Sequence, residues 1–235
     1  MVTVSFRRRN SDVADERAWT DASADLLRTA VPWRTFRWYK GQPHYSGTYW
    51  SATTHDHVIY ESRLELARLL FADFDSSVRH IVAQPFLMKA TVDGKVRKHV
   101  PDFLLVTDQG PVVVDVKPLR RVTKAEVAFT FDWVRQAVES RGWRFEIWSE
   151  PPPVELENIR FLAGYRRGWL FDAELLEEVS CAGLDGVPLG ELSACIPDRL
   201  EPEVRAAVCH LLWKCHLAVD LKRPLSSSSV LRIAA

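Results

Sequence analysis

The sequence predicts an α/β protein: a mixed sheet flanked by helices, followed by a small helical domain that closes on a β-hairpin. Three observations carry this. Apolar runs of strand length succeed one another between Val78 and Val116, separated by turn residues. A helix-length periodic segment, Val122–Arg141, lies between them and a further apolar run, Trp143–Trp148. After Pro151-Pro152-Pro153 the pattern turns helical, and a triple proline is a natural place for regular structure to stop and a domain to end. A chain of 235 residues has room for one large or two small domains at ~100–200 residues each. The expected division is a polar N-terminal segment (1–30), a catalytic-type domain (31–150) and a C-terminal domain (151–235).

Residues 1–30 are polar and charged, weakly helical around Asp21 to Thr29. From Val31 to Trp50 the aromatics Trp33, Phe36, Trp38, Tyr39, Tyr45, Tyr49 and Trp50 interleave with Arg34, Arg37, Lys40 and His44. Short strands joined by turns are expected there. Most rings should pack a core, with Arg34, Arg37 and Lys40 available to a nucleic acid. Tyr60 to Phe74 carries the apolar stripe of an amphipathic helix. Val78 to Ala90 reads as a strand interrupted at Gln84-Pro85, and Asp93-Gly94 as a hairpin turn. His99–Val106 and Pro111–Val116 read as strands joined by the turn Thr107–Gly110. Thr123-x-x-Glu126 is a candidate capping box for the Val122–Arg141 helix, with Gly142 after its end. In the C-terminal region helices are expected at Asp172–Cys181, Leu189–Cys195 and Pro202–Lys214, then two strands, Leu217–Leu221 and Val230–Ile233. Three helices followed by a hairpin is a winged-helix-like order.

Lys+Arg and Asp+Glu both number 31, so the net charge is zero, and wholesale coating of polyanions is excluded. Charge is instead local. Lys89–Lys124 holds eight Lys/Arg against four Asp, whereas Pro151 onward holds nine basic against twelve acidic residues. No apolar run reaches the ~18–20 residues of a membrane span. Arg7-Arg8-Arg9 is followed by no apolar stretch, so no secretory signal is expected. The four cysteines, Cys181, Cys195, Cys209 and Cys215, form no C-x-x-C pair, and reduced thiols in a cytoplasmic protein are expected. Cys209-His210 and Cys215-His216 fit no standard zinc spacing and sit in an apolar helical run.

The chemistry concentrates in Pro101-Asp102 and Val112–Lys117. Two adjacent strands each carry an Asp near the same end. Residues i and i+2 of a strand share a face, which puts Lys117 beside Asp115 and leaves Val114 and Val116 for the core. Antiparallel pairing brings Asp102 opposite the Asp115 region. Two carboxylates gathered among apolar strands are costly alone and are relieved by a divalent cation. Oxygen ligands select Mg²⁺ or Mn²⁺. Such a site suits phosphodiester hydrolysis, with Lys117 orienting water or holding developing charge. The spacing Pro-Asp-x₁₂-Asp-x-Lys is the PD-(D/E)xK nuclease signature, which implies a restriction-endonuclease-like sheet. On the preceding helix Glu61 and Glu65, four apart, are both candidates for a third carboxylate.

The stretches Tyr60–Ala67, Asp75–Phe86 with Ser77-Val78 and Gln84-Pro85, Pro101–Leu104 and Asp115–Pro118 resemble TnsA, the endonuclease subunit of heteromeric transposases. The resemblance covers roughly Val31 to Trp148. It implies that Glu65 is the helix carboxylate, Asp102 the principal metal ligand and Lys117 the catalytic lysine. It also implies cleavage of the 5′ strands of transposon ends in double-stranded DNA. The partners implied are an integrase-like subunit of the TnsB type, which handles the 3′ ends, and an AAA+ regulator of the TnsC type. Asp115 stands where the best-known member has Gln, restoring the ordinary nuclease pattern, so the family's metal stoichiometry does not carry over; the expected metal set is Asp102 and Asp115, with Glu65 contributing directly or through water. The competing readings are a stand-alone restriction, repair or phage-defence nuclease, and an inert adaptor on a nuclease fold. The acidic surplus of the C-terminal region, and a candidate recognition helix offering only Arg205 and Lys214, favour a protein partner there over DNA.

Overall fold

The computed structural model describes residues 1–9, 11, 13–34 and 45–234. Phe36, Arg37, Trp38, Tyr39, Lys40 and His44, read above as part of an aromatic and basic run, lie outside the described residues. The chain divides into two units, Met1–Glu150 and Pro151–Ala235.

Along the first unit run β1 (Val2–Arg8), β2 (Asp15–Ala18), α1 (Ala24–Leu27), β3 (Ala30–Val31), β4 (Gly47–Ser51), β5 (Asp56–Tyr60), α2 (Arg63–Phe74) and β6 (Val78–Ala83). They are followed by β7 (Leu87–Val92), β8 (Lys95–His99), β9 (Phe103–Thr107), β10 (Gly110–Val116), α3 (Leu119–Val122), α4 (Ala125–Glu139) and β11 (Arg144–Trp148). One sheet has the order β2-β1-β7-β8, with β3 also on β1; a second runs β11-β10-β9-β6, and β4 pairs with β5 in a third. In the second sheet β9 is antiparallel to β6 and β10, while β10 and β11 are parallel. A parallel neighbour needs a crossover, and α3 and α4 provide it. The result is the mixed sheet flanked by helices of a restriction-endonuclease-like fold.

The main core lies where the first two sheets meet α4. It gathers Val4, Phe6 and Met88 from the first sheet, Leu104 and Val113 from the second, and Phe131, Val134 and Val138 from α4. On the other face α2 packs over β6 and β10 and buries Leu69 and Leu70. Because β10 is central, Val112 to Val116 are buried throughout, Asp115 among them at 2% exposure. The sequence suggested one core face and one functional face; the strand is covered on both, as its continuous valine run allows.

Several elements differ from the sequence reading. The N-terminal segment is not merely polar: β1 lies between β2 and β7, with Val4 and Phe6 fully buried. Its period-two pattern, Val2, Val4, Phe6, is short and masked by Arg7-Arg8-Arg9. The single strand expected at His99–Val106 is two strands in different sheets, β8 on β7 and β9 on β6 and β10. Pro101, which lacks an amide donor, marks the transfer. The Thr123/Glu126 capping box does not form: α4 starts at Ala125 behind Lys124 with no side-chain cap, and Thr123 instead closes the short α3. The Asp93-Gly94 turn is present, both residues having positive φ (51° and 72°), as a tight hairpin turn requires.

The second unit comprises α5 (Pro153–Leu162), α6 (Ala173–Cys181), α7 (Leu192–Cys195) and α8 (Glu201–Trp213), then β12 (Leu217–Ala218) paired with β13 (Arg232–Ile233). Helices ending in a two-stranded hairpin give the winged-helix-like order. The triple proline does not stop structure; Pro153 opens α5, where a missing N–H costs nothing. Ile159, Leu162, Val204, Val208, Leu212 and Leu231 are buried in this unit. All four cysteines are free, and burial pushes the Cys209 thiol up to about 11. Among the described residues no helix is long and apolar enough to cross a membrane.

Candidate active site

The β9–β10 register pairs Phe103 with Val114. One step further along the ladder, Asp102 stands opposite Asp115. The Asp102 Oδ2 accepts the Val116 amide at 2.7 Å, which fixes the carboxyl at the strand end. Its other oxygen forms no hydrogen bond among the described residues. Burial holds this carboxyl well above the ordinary aspartate range; the charges of Asp115 and Glu65 raise it further, while the Val116 amide and Lys117 draw it down.

Glu65 reaches the same place from α2. Ser62 is the N-cap and Glu65 stands three residues on, so the pair forms a capping box. Ser62 Oγ accepts the Glu65 amide at 3.1 Å and donates to Glu65 Oε1 at 2.9 Å; the Glu61 amide donates to Glu65 Oε2 at 2.7 Å. Burial raises the Glu65 carboxyl, with Glu61 adding to the rise, against the lowering hydrogen bonds and Lys117. Of the two candidate helix carboxylates, Glu65 is the one that couples to Asp102. Glu61 instead accepts from the Gln84 side chain and pairs with Arg34 at 3.6 Å.

Lys117 follows the end of β10, its amide donating to the Trp148 carbonyl at 2.9 Å. The half-buried side chain makes no hydrogen bond or ion pair among the described residues, yet its charge is felt by both Asp102 and Glu65. An ammonium facing two carboxylates without closing on either is available to a third, anionic group.

Asp115, expected as a ligand sharing a face with Lys117, is engaged by His99. Its two oxygens lie 2.9 and 2.8 Å from His99 Nε2, which must carry the proton to donate to a carboxylate. The His99 ring meets Trp133 of α4 edge-on, with centroids 6.3 Å apart. His99 was not a sequence candidate. It ends a strand of the first sheet, and only the transfer at Val100–Asp102 brings it over the second.

Among the described residues no group of three or more His, Cys, Asp or Glu side chains is arranged to hold a metal ion. The donor chemistry at Asp102 nonetheless fits a hard divalent cation. It has an uncommitted carboxylate oxygen, and its charge is opposed by burial and by two further carboxylates, which supply oxygen donors.

An α/β core that sets carboxylates and a lysine at the shared end of two sheet strands is that of a restriction-endonuclease-like nuclease. The family comparison makes this particular. Residues 75–150 match the family model described as TnsA-like endonuclease N terminal, so this segment is similar to that domain. No curated protein matches the chain significantly. The matched segment spans β6 to β11 and includes Asp102, Asp115 and Lys117; Glu65 precedes it.

Proposed function

We propose that the protein is the metal-dependent DNA endonuclease subunit of a TnsA-type transposase, hydrolysing phosphodiesters on the 5′ strands of transposon ends. The observation that supports it best is the convergence of Lys117 with the Asp102 and Glu65 carboxylates at one end of the β9–β10 pair. Asp102, Glu65 and Asp115 would hold Mg²⁺ or Mn²⁺. When bound, the ion polarises the scissile phosphate and lowers the pKa of a water. Asp102, fixed by the Val116 amide, sets where the phosphate can sit. Lys117 holds the charge that develops on the phosphate oxygens and orients the attacking water. The substrate is double-stranded DNA, and Lys89–Lys124 supplies the local positive charge.

The transposase reading also implies an integrase-like subunit of the TnsB type and an AAA+ regulator of the TnsC type as partners. The acidic surplus of Pro151–Ala235 supports a protein-facing role for the second unit.

Calorimetric titration with Mn²⁺, run beside a nicking assay on DNA carrying transposon ends, tests this. Wild type should bind Mn²⁺ and nick. Asp102→Ala should lose at least ~10-fold in Mn²⁺ affinity, as loss of a ligand costs no less than loss of a supporting residue, and should not nick. Equal binding by the two proteins places the metal elsewhere.

A further inference from the structure

Gln84 directly follows β6 with φ +46°, in the left-handed region that a long side chain seldom occupies. It is 3% exposed, and all of its polar groups are used. Its amide donates to the Asp102 carbonyl at 2.8 Å, one step past the Ala83–Phe103 pair of the β6–β9 ladder. Its carbonyl accepts the Trp33 amide at 3.0 Å. In the side chain, Oε1 accepts the Arg34 amide at 3.0 Å and Nε2 donates to Glu61 Oε1 at 2.8 Å. The Glu61 amide in turn donates to Glu65 Oε2.

One residue therefore grips both sides of the site. Its main chain holds the peptide of Asp102, and its side chain holds the start of α2, where Glu65 sits. Extended backbone at this position would leave the side chain on a face of the sheet. The left-handed turn lets the main chain stay in the ladder while the side chain departs toward α2. Glycine or asparagine would adopt this φ with less strain, but neither reaches Glu61. Strain retained for the sake of side-chain length points to a role for that length.

We propose that Gln84 is a positioning residue that fixes the Glu65 carboxylate relative to Asp102, and that ties both to the segment entering at Trp33–Arg34. This rests on the nuclease reading above. Gln84 touches neither substrate nor metal; it acts through Glu61 and the Asp102 peptide.

The test uses the full-length protein. Gln84→Asn and Gln84→Gly relieve the backbone strain, which offsets part of the stability lost with the buried hydrogen bonds, so their thermal midpoints should stay near that of wild type. Mn²⁺ affinity by calorimetry should nevertheless fall ~10–100-fold, the usual consequence of losing a group that orients metal ligands. The kcat for nicking should fall with it, and KM for DNA should hold. Gln84→Glu alone should fail in the same way, because two carboxylates then face each other. The double variant Gln84→Glu/Glu61→Gln exchanges donor and acceptor, keeps an acceptor for the Arg34 amide, and should recover Mn²⁺ affinity. Wild-type affinity and kcat in Gln84→Asn and Gln84→Gly would overturn the positioning role. So would a parallel fall in thermal midpoint and affinity with no recovery in the double variant, which assigns Gln84 to packing. Failure of wild type itself to bind Mn²⁺, with Asp102→Ala indistinguishable from it, overturns the nuclease reading and this inference together.

Discussion

Lys117 is a cation whose charge both Asp102 and Glu65 register, and it closes on neither. An ammonium cannot ligate a metal, so removing it should leave Mn²⁺ and DNA binding near normal. Hydrolysis is a different matter, because the charge that grows on the phosphate in the transition state then goes uncompensated. Lys117→Ala should lower the nicking rate ~10²–10³-fold, the typical cost of one such group. In a transposition assay with partner proteins the 3′ strands should still be cut, leaving products joined to donor DNA through uncut 5′ strands. Nicking at the wild-type rate would make Lys117 an ordinary strand-end residue. Asp102, Asp115 and Lys117 were singled out in the sequence because they lie on or next to two consecutive strands, β9 and β10, whose short turn fixes their register. Glu65 was legible as one of a pair, and its coupling to Asp102 needed the tertiary placement of α2. His99 and Gln84 were not legible as site residues. Each reaches the site through a break between sheets or a departure from strand geometry, and neither leaves a periodic trace.

At the scale of elements, the same physics explains both hits and misses. Runs longer than a few residues with a turn or cap at each end, such as α2, β10 and α6, were legible. Short strands in charged surroundings, such as β1, and a helix opened by prolines, α5, were not. Helix α8 offers a further case: its Cys209-His210 pair, expected in an apolar helical run and not in a zinc site, is packed. His210 is 5% exposed, its Nδ1 donates to the Tyr165 carbonyl at 2.7 Å, and its ring stacks on Phe171 with centroids 4.5 Å apart. Burial pushes this imidazole below its usual range, Lys214 and His216 add to the fall, and the Tyr165 carbonyl opposes it. The folded protein thus prefers His210 neutral more than the unfolded chain does. That preference contributes stability above the unfolded pKa of ~6.5 and is lost as pH falls through the lower folded value. The unfolding midpoint of wild type should therefore drop between pH 7 and pH 5. His210→Asn keeps a donor for Tyr165 but loses the ring, which should cost about 1 kcal/mol at pH 7 and flatten the profile below it. Identical pH slopes in the two proteins would show that His210 does not titrate in this way.

For the whole molecule, the question is whether the two units are separable in function as they are in fold. Met1–Glu150 contains a core of its own, running from Val4 to Phe145, and every proposed catalytic group. Pro151–Ala235 buries a different set of side chains and carries nine basic residues against twelve acidic. That balance suits a protein surface better than a phosphate backbone, where each neutralised phosphate calls for a cation. Exposed apolar groups are also present in this unit: Phe161, Trp169 and Leu170 are 51%, 63% and 64% exposed. Aromatic groups of this kind commonly anchor protein interfaces. A chain ending at Glu150 should accordingly fold cooperatively and bind Mn²⁺ with the affinity of the full protein. With purified partner subunits the prediction reverses: the truncated protein should neither co-elute with an AAA+ regulator nor support 5′-strand cleavage in the assembled reaction. Both halves can be read independently, by urea unfolding and calorimetry for the first, and by size-exclusion chromatography and strand-specific cleavage for the second. A truncated protein that precipitates would mean the first unit depends on the second for its fold. One that still engages its partner fully would move the recruiting surface into Met1–Glu150, where the long β2-β1-β7-β8 sheet would be the next place to look.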